Sequence, residues 1–172
     1  EYVNHVIQAV NVDLSELKIV VDCAEGASFY TSVEALKELG GHVVSIHNNP
    51  DGTNINANCG STHMEELQAR VVYEKANVGL AFAGDADRML AVDENGKVVD
   101  GDQIMAIVGN YLRSQGKLKN DTIVATVMSN LGFFLMAEKE KLTVEQTKVG
   151  DRYVLERMKE IDASLGGEQS GH

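Results

Sequence analysis

Asp85 and Asp87 stand two residues apart in Gly84-Asp85-Ala86-Asp87-Arg88. Carboxylate oxygens that converge on one point are what a hard divalent cation such as Mg2+ requires. A turn, rather than a regular strand, is needed to converge this pair. With Arg88, two carboxylates and a guanidinium sit where an apolar run ends. On spacing alone, a solvated acidic turn between strands is the commoner meaning of such a stretch. Both readings stand at this level.

The flanking residues predict the elements that would position the turn. Val78–Phe82 reads as a core strand leading in, and Met89–Val92 as a strand leading out. Asp93-Glu94-Asn95-Gly96 reads as a hairpin turn, since Asn-Gly suits positive φ angles, and Lys97–Val99 returns as a short strand. Upstream, residues 1–12 read as a connecting helix with Val3, Ile7 and Val10 on one side. Lys18–Ala24 is a buried strand by its β-branched run. Phe29, Val33, Leu36 and Leu39 recur at helical spacing before Gly40-Gly41, and His42–Ile46 is the next strand. Strand, helix, strand at this spacing implies a right-handed crossover and a parallel pair. Thr62 and Glu65 have the form of a capping box for a helix carrying Met64, Leu67 and Val71.

In the second half, Asp102 reads as an N-cap. Ile104, Ile107, Val108, Tyr111 and Leu112 form a stripe that reads as the core face of a helix. Thr122–Val127 and Val144–Val149 read as strands, with a helix marked by Leu131, Phe134 and Leu135 between them. Gly150-Asp151 opens a helix carrying Val154, Leu155, Met158 and Ile161. Gly166–His172 is a glycine-flanked polar loop in which Glu168, by residue type, reads as a surface acid. The pattern predicts an α/β chain of two consecutive three-layer α/β/α units with mixed, mostly parallel sheets. The expected units are 13–101 and 102–172. Two strands rarely make an independently stable sheet, so the second unit is expected to be incomplete here and completed by residues of a parent protein.

Composition narrows the function classes. The formal net charge of −11 argues against nucleic-acid and anionic-membrane partners. The 5% aromatic content, with no Trp, argues against stacking platforms for single strands. No apolar stretch approaches the ~20 residues of a membrane span. Cys23 and Cys59 offer no CxxC spacing, and a reducing cytoplasm is the simple expectation. Each thiol is expected to behave as a small buried hydrophobe. His42, His47 and His63 are too scattered in sequence to be argued as metal ligands.

Taken together, the motifs resemble the α-D-phosphohexomutase superfamily, and within it the bacterial phosphoglucosamine mutase branch. Ala83-Gly84-Asp85-Ala86-Asp87-Arg88 is similar to the family's metal loop, Asp-Gly-Asp-Ala-Asp-Arg. Gly167-Glu168-Gln169-Ser170-Gly171-His172 resembles its sugar-binding loop, where Gln169 favours the glucosamine branch. Lys148–Tyr153, Asn54-Ile55-Asn56 and Cys59-Gly60-Ser61-Thr62-His63 are also similar to that branch. The resemblance covers essentially the whole chain.

It implies that the chain is the second domain and most of the third of a four-domain enzyme built around one cleft. The missing first and fourth domains would carry the phosphoserine loop and a phosphate-binding loop. The implied reaction interconverts glucosamine 6-phosphate and glucosamine 1-phosphate through a phosphoserine and a bisphosphate. By position, Asp85 and Asp87 would be ligands of Mg2+, and Arg88 the catalytic residue facing the transferring phosphate, where its planar fork of donors suits phosphate oxygens. Glu168 and Ser170 would hydrogen-bond sugar hydroxyls. Lys148 and His172 would line the substrate side of the cleft. The implied partners are a phosphorylated amino sugar and the absent domains, with homo-oligomerisation left open. The isolated chain is expected to be inactive.

One departure matters. Ala83 stands where the family has its first metal-loop Asp, which leaves two carboxylates and weakens the expected Mg2+ site. Two other readings remain at this level: a phosphomannomutase or phosphoglucomutase of the same superfamily, and a non-catalytic binding module with a degenerate metal site.

Overall fold

The computed structural model of the chain describes residues 1–10 and 12–172. Asn11, at the end of the expected connecting helix, lies outside the described residues. The chain divides into two compact units, Glu1–Val99 and Asp100–His172.

The first unit opens with α1 (Tyr2–Ala9), which leaves Val10 beyond its end in extended backbone. A five-stranded sheet follows, built from β1 (Lys18–Asp22), β2 (His42–Ile46), β3 (Val78–Phe82), β4 (Met89–Asp93) and β5 (Val98–Val99). The strand order is β2-β1-β3-β4-β5. β1 is parallel to both β2 and β3, and the β3–β4 and β4–β5 pairs are antiparallel.

Two helices cover the sheet. α2 (Ser28–Glu38) links β1 to β2, and α3 (Glu65–Glu74) links β2 to β3. Because β1 lies between β2 and β3, two right-handed crossovers must leave on opposite faces. Alternation along β1 matches this: Ile19, Val21 and Cys23 cluster with Val33 of α2, whereas Val20 clusters with Leu67 and Val71 of α3.

Two local expectations fail in this unit, and a third is refined. Phe29 is 43% exposed, whereas Val33 is buried as expected and Ala35 is buried with it. Thr62 belongs to a short 3-10 turn (Gly60–Thr62), so α3 starts after Met64 with no side-chain cap. At Asp93–Lys97 only Gly96 takes a positive φ, +80°. The Asp93 amide donates to the Lys97 carbonyl and the Gly96 amide to the Asp93 carbonyl, so the expected hairpin turn forms as a three-residue loop.

The second unit comprises α4 (Gly101–Ser114), β6 (Thr122–Thr126), α5 (Leu131–Glu140), β7 (Thr143–Thr147) and α6 (Asp151–Glu160). β6 and β7 pair in parallel, and Gly166 bridges Val124 on β6 in parallel sense. Ile123 and Ala125 cluster with Met105 of α4 and with Phe133 and Ala137 of α5. Val124 points to the other face by alternation, the side on which α6 packs against β6 and β7.

The helix faces again differ from expectation. α4 buries Gly101, Asp102, Met105 and Gly109, while Ile107 and Tyr111 are 63% and 62% exposed. Packing explains this, because a Cβ on Gly109 would lie 2.7 Å from Ile123 Cδ1. The helix approaches the strand along its small residues, which turns the larger apolar side chains outward. On α5, Leu131 and Leu135 are exposed and Phe133 is buried; on α6, Val154 is buried and Leu155 is exposed.

Candidate functional site

The Ala83–Arg88 segment is the hairpin between β3 and β4. Phe82 pairs with Met89, and the Ala83 amide donates to the Arg88 carbonyl at 2.9 Å. Within that closure the Ala86 amide donates to the Ala83 carbonyl at 2.8 Å, and Ala86 takes a φ of +62°. The turn presents Asp85 and Asp87 as exposed side chains on one short loop. Arg88 is partly buried, with Nε 3.6 Å from Asp87 Oδ1. The side chain of Ala83 is enclosed, so a methyl group occupies the position where the strand surfaces. Asp85 and Asp87 offer carboxylate oxygens and no nitrogen or sulfur, the donor type that suits a hard cation keeping several waters.

A second tight turn adjoins this loop. The Ala27 amide, just past the end of β1, donates to the Gly84 carbonyl at 2.8 Å. The first residue of α2's approach is therefore tied to the acidic hairpin. Both turns lie at the carboxyl ends of parallel strands flanking a reversal of strand order, where open α/β sheets place their ligands.

In the second unit Glu168 is 4% exposed, which corrects its reading as a surface acid. Its Oε1 accepts the Gly150 amide at 2.7 Å and its Oε2 lies 2.8 Å from His172 Nδ1. The Glu168 amide donates to the His172 carbonyl, and the Gly167 amide to the Val124 carbonyl. These bonds bring Glu168 and His172 together at the start of α6. There Gly167, Glu168 and His172 border a cleft of about 200 Å³ with Asp151, Val154 and Met158. Lys148 places Nζ 5.9 Å from the centre of the Tyr153 ring. Ser170 is exposed. Gln169 Nε2 donates to Asp100 Oδ2 at 3.2 Å.

Two polar arrangements were not visible in the sequence. Asp102 is not the N-cap of α4; Asp100 is, and Gln103 completes a reciprocal capping box with it. Asp102 is buried instead, accepting Ser129 Oγ and the Asn130 amide, each at 2.7 Å. It holds the β6–α5 connection against the start of α4. The Asn-Leu-Gly that follows Ser129 gives no hint of that partner. The second arrangement joins Asp22, His47 and Cys59, whose ligand atoms all lie within 4.8 Å of one another. Both cysteines are fully buried. Burial pushes the Cys23 thiol up to about 11, and burial together with Asp22, Glu25 and Glu66 pushes the Cys59 thiol to about 11 as well.

Residues 1–96 match the family described as phosphoglucomutase/phosphomannomutase, alpha/beta/alpha domain II. Residues 100–172 match its alpha/beta/alpha domain III. The chain belongs to the phosphoglucomutase/phosphomannomutase family.

Among the relatives of this phosphohexomutase chain are the phosphoglucosamine mutases of Acetivibrio thermocellus and Ruminiclostridium cellulolyticum, each 59% identical over 172 residues, and that of Clostridium novyi at 58%. The chain spans 38% of the length of each. Solved structures share the fold. A phosphoglucomutase/phosphomannomutase family protein from Burkholderia thailandensis superposes with a TM-score of 0.86 at 24% identity, over 99% of this chain and 37% of that one. A putative phosphomannomutase from Thermus thermophilus gives 0.83 at 20% identity, over 99% of this chain and 40% of that one. The three-layer α/β/α units are thus phosphohexomutase domains. Among the described residues no helix is long and apolar enough to cross a membrane.

Proposed function

We propose that the chain is the central part of a phosphoglucosamine mutase, an isomerase that interconverts glucosamine 6-phosphate and glucosamine 1-phosphate. One observation carries the reading: relatives bearing that name are up to 59% identical over all 172 residues. The partner substrate is a phosphorylated amino sugar, and the phosphoserine would come from another domain of the parent.

Asp85 and Asp87 would hold Mg2+ at the β3–β4 hairpin. When bound, the ion offsets negative charge as phosphoryl moves. Arg88 would direct its planar donors at the transferring phosphate, with its guanidinium already drawn toward the Asp87 side of the loop. Glu168 and Ser170 would accept and exchange hydrogen bonds with sugar hydroxyls. Glu168 is supported in that role by its fixed carboxylate, held by the Gly150 amide. Lys148 and His172 would line the substrate side, and His172 is oriented through Glu168. Neither unit holds a full set of these groups, so the 172-residue chain alone would not turn over substrate.

A second reading is favoured by Ala83. With a methyl in place of the first carboxylate, the chain would serve as a binding module with a degenerate metal site. A coupled assay on the parent protein, run separately with glucosamine 6-phosphate, mannose 6-phosphate and glucose 6-phosphate, separates the cases. Preference for the amino sugar supports the first reading. Preference for either other sugar moves the parent to another branch of the family, and no turnover of any of them supports the binding module.

A further inference from the structure

Asp22 ends β1 with a fully buried carboxylate. Its Oδ1 accepts the Ala24 amide and its Oδ2 the Gly60 amide, each at 2.9 Å. A buried charge is normally paired or bound to a cation. The cationic candidate is His47, just past β2, whose Nδ1 lies 3.1 Å from Asp22 Oδ1. Yet that Nδ1 is buried without a hydrogen-bond partner, so the contact lacks hydrogen-bonding geometry. The other ring nitrogen, Nε2, lies 3.1 Å from Glu66 Oε2 on α3. A ring that donates from Nε2 to Glu66 leaves Nδ1 with a lone pair and no hydrogen-bond partner, close beside the Asp22 carboxylate. Two electron-rich atoms then lie 3.1 Å apart in a buried place.

Cys59 supplies a third donor to the same point, since its Sγ, a His47 nitrogen and an Asp22 oxygen lie within 4.8 Å of one another. Among the described residues no other group of three or more His, Cys, Asp and Glu side chains gathers in this way. We propose that Asp22, His47 and Cys59 form a site for one divalent transition-metal ion of the zinc type, separate from the acidic hairpin.

The chemistry of the donors supports that class of ion. One thiolate, one imidazole and one carboxylate form a borderline-soft set that suits Zn2+ and its neighbours, not Mg2+ or Ca2+. A tetrahedral ion bound at ~2.0–2.3 Å holds its ligands roughly 3.5 Å apart. The widest separation here therefore has to close by only about 1 Å. The carboxylate and thiolate balance the charge of the ion, and a water would complete the tetrahedron. Glu66 stands where metal-bound imidazoles commonly find a carboxylate on the other nitrogen, which fixes the tautomer that binds. The Gly60 amide already anchors the residue after Cys59 to Asp22, so the loop carrying the thiol is positioned before any ion arrives. The ion would clip three separate connections together: the end of β1, the residue after β2, and the turn before α3.

The test uses the full chain, freed of metal by chelation and reloaded with one equivalent of Co2+ or Zn2+. Expected results are a thiolate-to-cobalt charge-transfer band in the near ultraviolet, one bound zinc by native mass spectrometry, and a rise in unfolding temperature with zinc. The band disappears in Cys59→Ser and in His47→Asn, and it persists in Cys23→Ser and in the paired change Asp85→Asn with Asp87→Asn. Asn is chosen at position 47 because His47 has a φ of +48°, which Asn tolerates. Should either ligand variant fail to fold, zinc-edge X-ray absorption on the unaltered chain decides, with a sulfur neighbour at ~2.3 Å expected. Absence of the charge-transfer band, its survival in Cys59→Ser, or a zinc shell of oxygen and nitrogen alone overturns the proposal.

Discussion

The Gly84 carbonyl, which begins the acidic hairpin, accepts the Ala27 amide at 2.8 Å, and a Cβ added to Gly26 would stand 2.1 Å from that same oxygen. The turn after β1 and the hairpin after β3 are thus in direct backbone contact. No side chain fits between them at position 26.

Gly26→Ala should therefore force the two turns apart. Overpacking of this kind typically costs about 1–3 kcal/mol. Urea unfolding of the chain should show a lower midpoint with an unchanged slope. Any Mg2+ affinity of the Asp85–Asp87 loop should fall as well, because the loop loses the wall that fixes Gly84. Unchanged stability would mean that the contact relaxes without cost.

Glu168 invites a paired test. Its carboxylate is buried and accepts the Gly150 amide at 2.7 Å. Glu168→Ala strands that amide, and an unsatisfied buried donor costs about 1–3 kcal/mol. Glu168→Gln keeps an acceptor oxygen for Gly150 and should lose clearly less. Hydrogen exchange at the Gly150 amide checks the mechanism: it should speed up strongly in the alanine form and only slightly in the glutamine form. Equal losses in both would indicate that the charge toward His172, not the bond to Gly150, matters more.

Strands were the most legible elements in the sequence. Ile19-Val20-Val21 and Ile123-Val124 are β-branched runs that pack on both faces, so composition alone identifies them. Helix position was legible but helix orientation was not. α2, α4 and α5 each carry more apolar residues than one sheet face can cover, and on α4 close approach to β6 selects the face that carries Gly109. Gly109 and Met105 face Ile123, while Ile107 and Tyr111 are left outside. The acidic hairpin was legible because its residues are contiguous. Asp22, His47 and Cys59 were not, since 37 residues of chain separate the first from the last; the parallel pairing of β1 with β2 brings Asp22 to His47, and the Gly60 amide ties the Cys59 turn to Asp22.

The two buried thiols make stability depend on alkaline pH. Both are raised to about 11 from 9.0, so the folded chain holds these protons more tightly than the unfolded one. Their contribution is complete below pH 9 and is lost as pH rises through about 11. A tenfold difference in proton affinity is worth about 1.4 kcal/mol, so a hundredfold one makes the loss on the order of 3 kcal/mol per thiol. With chelator present, the denaturant midpoint should fall across that window. The decline should be shallower in a form carrying Cys23→Ala and Cys59→Ala. An equal decline in both forms would assign the effect to other groups.

Ala83 offers the sharpest test of the acidic hairpin. Its side chain is enclosed at the end of β3, and its amide closes the loop onto Arg88. Ala83→Asp places a third carboxylate there, beside Asp85 and Asp87. Without an ion that carboxylate is poorly solvated and repelled by its neighbours, so the metal-free form should be less stable by about 1–3 kcal/mol. With Mg2+ the same group becomes a ligand, and added ligand charge is what tightens such sites. The Ala83 form should bind Mg2+ weakly, because two carboxylates leave most coordination positions to water. The Asp form should bind at least about tenfold more tightly, a difference of roughly 1.4 kcal/mol. Titration calorimetry on both forms, with unfolding temperatures measured with and without Mg2+, reads both effects. A large Mg2+-dependent rise in unfolding temperature in the Asp form alone is expected. Tight binding by the Ala83 form that does not change with the third carboxylate would show that the ion is held elsewhere.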